Sequence, residues 1–302
     1  MTTNIHTGPA PHTPEWYDEH RRILTATDMA AVLGFSEYKQ ALDVYLDKKG
    51  VVAPFAGNEH TRRGQRYEPV ILADYAETMG ISQMDTPMPL VYHPSLDCLG
   101  ATPDAEAEDS TGEHYGVEAK FTMSPKRAEQ LGEDLSDWIP EDWMVQVQTQ
   151  MACTGWKRVD LACLLYGRLR VFCCQRSEDL IGQIEAAARE MWERIANEDP
   201  PEPNWQHAGT PALMKAMHPG GSGIAVDLTP DAAAIWASRA ASAKAETEAK
   251  AMKEGYDAQF RHAMGDADIG LLPSGRRVKR IFCKATSVAY EREAYNYFKE
   301  TK

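Results

Sequence analysis

Residues 100–120 read GATPDAEAEDSTGEHYGVEAK. Within them Pro103 and Asp104 are followed, after thirteen residues, by Glu118, Ala119 and Lys120. Both ends of the stretch, CLGATPD and YGVEAKF, are short runs bounded by Ser, Asp and Gly, and both are predicted to be strands. In a strand, side chains i and i+2 point to the same side, so Glu118 and Lys120 face one site while Ala119 faces away. Asp104, on the preceding strand, converges on the same place. Asp104 and Glu118 then offer two hard oxygen ligands suited to Mg²⁺, and the backbone carbonyl of Ala119 a third. Beside such an ion, Lys120 would orient or activate a water for attack on phosphorus, or neutralise charge developing in the transition state. That chemistry is phosphodiester hydrolysis.

Asp, Glu and Lys are common residues, and a PD with an ExK inside twenty positions arises by chance in many chains. What gives the pattern weight is its neighbours. Glu68 lies upstream in GQRYEPVI and Gln146 downstream in WMVQVQTQM, in the order a metal-dependent nuclease needs. Helical spacing of apolar residues at 71, 72, 75, 76 and 79, closed by Gly80, predicts a helix there. Pro69 suits its first turn, which places Glu68 at the helix start; a kinked helix beginning earlier is the alternative. Residues 141–153 read as a helix with Trp143, Val147 and Met151 on one stripe and Gln146 and Gln150 on another face.

Outward from this centre, residues 1–15 hold three prolines and read as a flexible leader. Thr27 reads as the N-cap of a short Ala-rich helix, followed by a second helix ending at Gly50. The stretch 158–176 reads as a hairpin turning near Gly167, and 178–197 as an amphipathic helix. The expected fold is α/β, a mixed central sheet flanked by helices. The expected divisions are a leader (1–15), a nuclease domain (16–204), a linker (205–228) marked by DPPEPNW and HPGGSG, and a helical and β appendage (229–302). In the appendage, 229–264 favours one long helix or a helical hairpin, and YEREAYNYF near the end reads as a short amphipathic stretch.

A net charge of −13 over 302 residues argues against a uniformly polyanion-binding surface. Local clusters soften this: RRVKRIFCK at 276–284 carries five cations and no acid. Its alternation fits a solvated strand or an edge that binds DNA or a partner. No stretch approaches the roughly 18 apolar residues of a membrane span, and the first residues lack a signal-peptide pattern, so a cytoplasmic protein is expected. Six scattered cysteines suggest reduced, mostly buried thiols, with adjacent Cys173 and Cys174 on opposite faces. No HExxH and no GxxxxGK[ST] occurs, which leaves a zinc hydrolase and an NTPase motor unsupported.

Taken together, RRILTATDMAAVLGFSEY, GQRYEPVI, GATPDA, GVEAK and WMVQVQTQMACTG resemble the successive motifs of the YqaJ-type viral recombinase nucleases. These are related to phage lambda exonuclease within the PD-(D/E)xK superfamily, and the resemblance covers roughly residues 20–200. It implies a restriction-endonuclease-like core. It puts the metal-binding aspartate at Asp104, the ExK pair at Glu118 and Lys120, the helical glutamate at Glu68 and the active-site glutamine at Gln146. It also implies a terminal-phosphate contact through a hydroxyl, here Thr27, and an arginine, for which Arg22 is preferred over Arg21; gapless spacing would land on His20. The activity implied is Mg²⁺-dependent DNA exonuclease action, with Mn²⁺ as a substitute and two ions during catalysis. Resection from a 5′ end, a ring-shaped homo-oligomer, a single-strand annealing recombinase as partner and a phage or prophage origin are implied with it. Two other functions stay open at this point: a structure- or site-specific endonuclease on the same fold, and a non-catalytic DNA-end-binding or assembly module.

Overall fold

Central strands buried on both faces and helical stripes of apolar residues build this fold. The computed structural model describes residues 6–52, 57–220 and 223–284. The chain divides into two units, Met1–Pro219 and Gly220–Lys302. The first runs α1 (Pro14–Arg22), β1 (Leu24–Thr25), α2 (Ala26–Val32), α3 (Ala41–Lys48), α4 (Glu59–Met79), β2 (Met84–Asp85), β3 (Val91–His93), β4 (Leu96–Ala101), β5 (Ala105–Glu108) and β6 (His114–Thr122). It continues through α5 (Pro125–Glu129), α6 (Glu141–Thr154), β7 (Arg158–Leu165), β8 (Arg168–Gln175), α7 (Glu178–Ala196) and α8 (Thr210–Met217).

The central sheet has the order β2-β5-β6-β7-β8 and is mixed, since β6 and β7 run parallel while the other neighbours are antiparallel. Its two faces follow from strand periodicity. Val117 and Ala162 turn to α4, packing with Ile71, Leu72 and Tyr75. Leu161 and Cys163 turn to α6, packing with Trp143, Val147 and Met151. A smaller sheet, β1-β4-β3, closes over the other side of α6. From Val145 to Thr154 that helix is therefore buried throughout. The expected α/β core with a mixed sheet flanked by helices is the observed one, and the hairpin at Gly167 and the long helix after it are β7–β8 and α7.

Close packing explains Gly116 in β6. A Cβ placed there would meet Trp156 at 2.3 Å, and Trp156 is held by its indole N–H donating to Glu106 at 3.0 Å. Gly116→Ala is expected to destabilise by about 1–3 kcal/mol, visible as a lower melting temperature.

Four local readings differ from the structure. Thr25, not Thr27, caps α2: its hydroxyl accepts from the Asp28 N–H, and the Asp28 carboxylate accepts in return from the Thr25 N–H. Helix α4 takes the alternative of an earlier start rather than a start at Pro69: it begins a full ten residues before that proline, under an Asn58–Thr61 capping box, so Glu68 sits mid-helix. The cap and the buried Ile71, Leu72 and Tyr75 outweigh the lost hydrogen bond at the proline. Residues 6–12, read as flexible, are tied to the small sheet: Gly8 N–H donates to Leu90 C=O and Leu90 N–H to Pro9 C=O. Lastly, α8 lies in the stretch read as linker, with Leu213 buried and the Gln40 amide donating to Thr210 Oγ1 at 2.8 Å.

The second unit contains α9 (Pro230–Met264), capped by Thr229, and the antiparallel pair β9 (Ile269–Leu271) and β10 (Arg277–Lys279). One helix, rather than a helical hairpin, spans 230–264, and no residue of it is buried. YEREAYNYF lies outside the described residues. Among the described residues no helix is long and apolar enough to cross a membrane. Cys174 is buried and Cys173 half-exposed.

Candidate active site

The site forms where β6, α4, α6 and the turn after β4 meet. Pro140 starts α6 and Gly155, at φ 78°, ends it in the left-handed conformation glycine favours. Burying a helix that reads QVQTQ is costly unless each polar side chain is partnered. The partners are specific. Gln148 donates to the Gln175 carbonyl at 2.7 Å and accepts from the Ser177 N–H at 2.9 Å, while Thr149 donates to the Val145 carbonyl. Gln146 and Gln150, one turn apart, both reach Glu118.

Glu118 is 2% exposed and is the hub of this arrangement. Its Oε1 accepts from Lys120 Nζ at 2.7 Å and from Gln146 Nε2 at 2.6 Å, and its Oε2 from Gln150 Nε2 at 2.6 Å. Lys120 Nζ also donates to Gln146 Oε1 at 2.8 Å, closing a triangle. Asp104, in the turn between β4 and β5, accepts at Oδ2 from the Ala119 N–H at 2.7 Å. The structure thus brings Asp104, Glu118, Ala119, Lys120 and Gln146 together.

The electrostatics mark an acidic pocket short of cations. Burial, then Glu118 and Glu68, push the Asp104 carboxyl well above the usual range, against the pull of Lys120 and the Ala119 N–H. Burial and Glu118 likewise raise Glu68, opposed by His12 and Lys120, so Glu68 lies within electrostatic reach of the site. Burial works against the charge of Lys120, but Glu118 and Asp104 outweigh it and hold the ammonium above its ordinary pKa. Among the described residues no three His, Cys, Asp or Glu side chains form a ready metal cage. The donor set nevertheless fits a hard divalent cation, because buried Glu118, half-buried Asp104 and nearby Glu68 share one lysine. The orphaned Oε1 of Gln150, buried without a partner, fits a water carried by such an ion.

Gln150 is the residue that the sequence reasoning passed over as part of the site. Its signal was present in the four-residue spacing from Gln146. His12 was hidden in the supposed leader.

The phosphate-contact candidates stand elsewhere, around α1 and α2. Arg22 is exposed and pairs with Glu19 at 3.3 Å, Arg21 is exposed, and exposed Thr27 lies 3.1 Å from the Thr25 hydroxyl. Beneath them Asp28 is buried with Lys48 at 2.7 Å. Burial opposes the Asp28 charge, yet Lys48 and Lys39 hold its carboxyl below the usual range. The His20 ring lies 3.6 Å from that of Trp16, tilted by 42°, and its Nε2 is buried without a partner. Burial, then Lys48, lower its pKa from 6.5 to about 4. The unfolded chain therefore takes up a proton at His20 that the folded chain refuses, and stability falls as pH drops from 6.5 towards 4. The loss attributable to His20 is on the order of 3 kcal/mol. Melting curves across that window are expected to fall more steeply for the parent than for His20→Phe.

The mixed sheet flanked by helices, with two carboxylates and a lysine at its centre, has counterparts of the same fold among solved structures. It is similar to the crystal structure of an alkaline exonuclease (LHK-Exo) from Laribacter hongkongensis, with a TM-score of 0.51 and 22% identity, covering 62% of this chain and 94% of that one. The same enzyme in complex with dAMP gives a TM-score of 0.50 at 22% identity, covering 67% and 99%. The family model of the YqaJ-like viral recombinase domain matches residues 15–157. The chain is also 24% identical over 263 residues to the "Uncharacterized protein YqaJ" of Bacillus subtilis (strain 168), covering 85% of this chain and 80% of that protein. Residues 15–157, which hold the motifs, are therefore similar to a YqaJ-like viral recombinase domain.

Proposed function

We propose that this protein is a Mg²⁺-dependent DNA exonuclease that hydrolyses phosphodiesters from duplex ends, resecting 5′ to 3′ for phage-type recombination. The observation that carries the reading is Lys120 Nζ held between Glu118 Oε1 and Gln146 Oε1, beside an Asp104 fixed by the Ala119 N–H. Asp104, Glu118 and the Ala119 carbonyl would hold the metal, with Glu68 acting directly or through water. When bound, the ion supplies Lewis-acid polarisation of the phosphate and lowers the pKa of its water. Mn²⁺ would substitute, and two ions would serve the full reaction.

Lys120 and Gln146 position the attacking water. Lys120, kept protonated by its acidic neighbours, also neutralises charge on the phosphoryl oxygens. Gln146 fixes Lys120 and Glu118 by donating to one and accepting from the other. Cleavage leaves a 5′-phosphate and a 3′-hydroxyl. Arg22 and Thr27 are the residues assigned to the terminal phosphate, and the acidic surface confines DNA to local basic clusters. A ring-shaped homo-oligomer, a single-strand annealing recombinase as partner and residence in the host cytoplasm complete the proposal. The likeness of the fold to an alkaline exonuclease and the recombinase domain match support it.

The test is a linear duplex carrying distinct 5′ and 3′ labels, incubated with Mg²⁺ or with EDTA. Early release of the 5′ label in Mg²⁺ alone is expected. Release of the 3′ label first, or release in EDTA, contradicts the reading.

A further inference from the structure

The second unit displays a cationic surface that the catalytic site does not use. In the β9–β10 pair, Arg277 stands opposite Leu271 and Lys279 opposite Ile269, so all four side chains share one face, and all four are exposed. The other face carries Gly270 and Val278, and Gly270 packs near Met264 at the end of α9. One face is therefore covered and the other open. The described ion pairs of this unit, Lys244–Glu248 and Lys253–Asp257, lie within α9, and neither uses a hairpin cation. Arg276 at the turn and Arg280 at the open end of the pair flank β10, turned to Ser274 Oγ and the Gly265 carbonyl respectively. Just beyond, Phe282 is 89% exposed.

We infer that this hairpin face, with Phe282, is a contact for single-stranded DNA. The choice of DNA rests on the nuclease reading, in which resection produces a single strand. The choice of strand form rests on the surface itself. A duplex keeps the faces of its bases stacked inside and offers Ile269, Leu271 and Phe282 only phosphates and groove edges. An unpaired strand offers phosphates to Arg277 and Lys279 and base faces to the apolar side chains. Three residue pairs span about 10 Å, the length of two or three nucleotides.

The experiment uses the full chain in EDTA, which blocks cleavage, with fluorescent (dT)20 and a blunt 20-base-pair duplex as probes over a range of salt. Arg277→Gln with Lys279→Gln is expected to weaken (dT)20 binding about tenfold and to reduce the salt slope by about 1.4. Phe282→Ala is expected to weaken (dT)20 binding about tenfold with the salt slope unchanged. All three positions are exposed, so melting temperatures should match the parent. Binding of (dT)20 within twofold of the parent in both variants overturns the inference, as does an equal loss for duplex and single strand. If the binding differences appear but the parent never cleaves in Mg²⁺, the nuclease reading fails and the single-strand contact is supported.

Discussion

Lys120→Ala is expected to slow Mg²⁺-dependent degradation of linear duplex by about 10²–10⁴-fold, the range found when a positioned catalytic group is removed. The ammonium bridges Glu118 and Gln146 at 2.7 and 2.8 Å and offsets the charges of Asp104, Glu118 and Glu68. Without it the attacking water loses its positioning donor and the phosphoryl oxygens lose a counter-charge. Glu118 keeps two amide donors, Gln146 and Gln150, so the strand should hold its place. Binding to duplex ends in EDTA is expected to stay within a few-fold of the parent. Gel-based degradation and end-binding assays measure the two separately. A variant that cleaves within tenfold of the parent would remove Lys120 from the mechanism.

The largest stability effect is expected at a different buried charge. Lys48→Met removes the partner of Asp28, whose carboxylate is buried and otherwise meets Thr25 and, at 3.8 Å, Lys39. Stranding one member of a buried pair costs about 3–5 kcal/mol, which in a unit of this size lowers the melting temperature by about 10 °C. Adding Asp28→Asn should recover part of the loss, because the uncompensated charge is then gone. Calorimetry on the parent, the single and the double variant checks this. A single variant melting within about 2 °C of the parent would show that Lys39 and Thr25 suffice for Asp28.

Much of the fold was legible because its periodicities are local. Glu118 and Lys120 sit two apart on a strand, and Trp143, Val147 and Met151 one turn apart on a helix; no tertiary information is needed to see either. Glu118 and Lys120 share one side of β6 by the same rule, and Asp104 and Gln146, assigned through the order of the motifs and the resemblance, stand beside them. What escaped depends on contacts between distant residues. Lys48 stands in the last turn of α3, and only the approach of α2 makes it the partner of Asp28. Pro69 is a usual helix starter, and its mid-helix position is tolerated because α4 is anchored at Asn58 and packed at Tyr75. Gln150 reads as polar filler until α6 is known to be buried with Glu118 below it. Residues 6–12, rich in turn formers, become ordered by pairing with Leu90 and Val91.

The central claim is that the Asp104, Glu118 and Lys120 site cleaves DNA from ends with a divalent metal. The most direct measurement compares linear duplex bearing 5′-phosphates with closed circular duplex, each in Mg²⁺ and in EDTA. The account predicts loss of the linear form alone, only in Mg²⁺. Nicking of the circle would contradict it in favour of an endonuclease on the same fold, and end binding without any cleavage would contradict catalysis altogether.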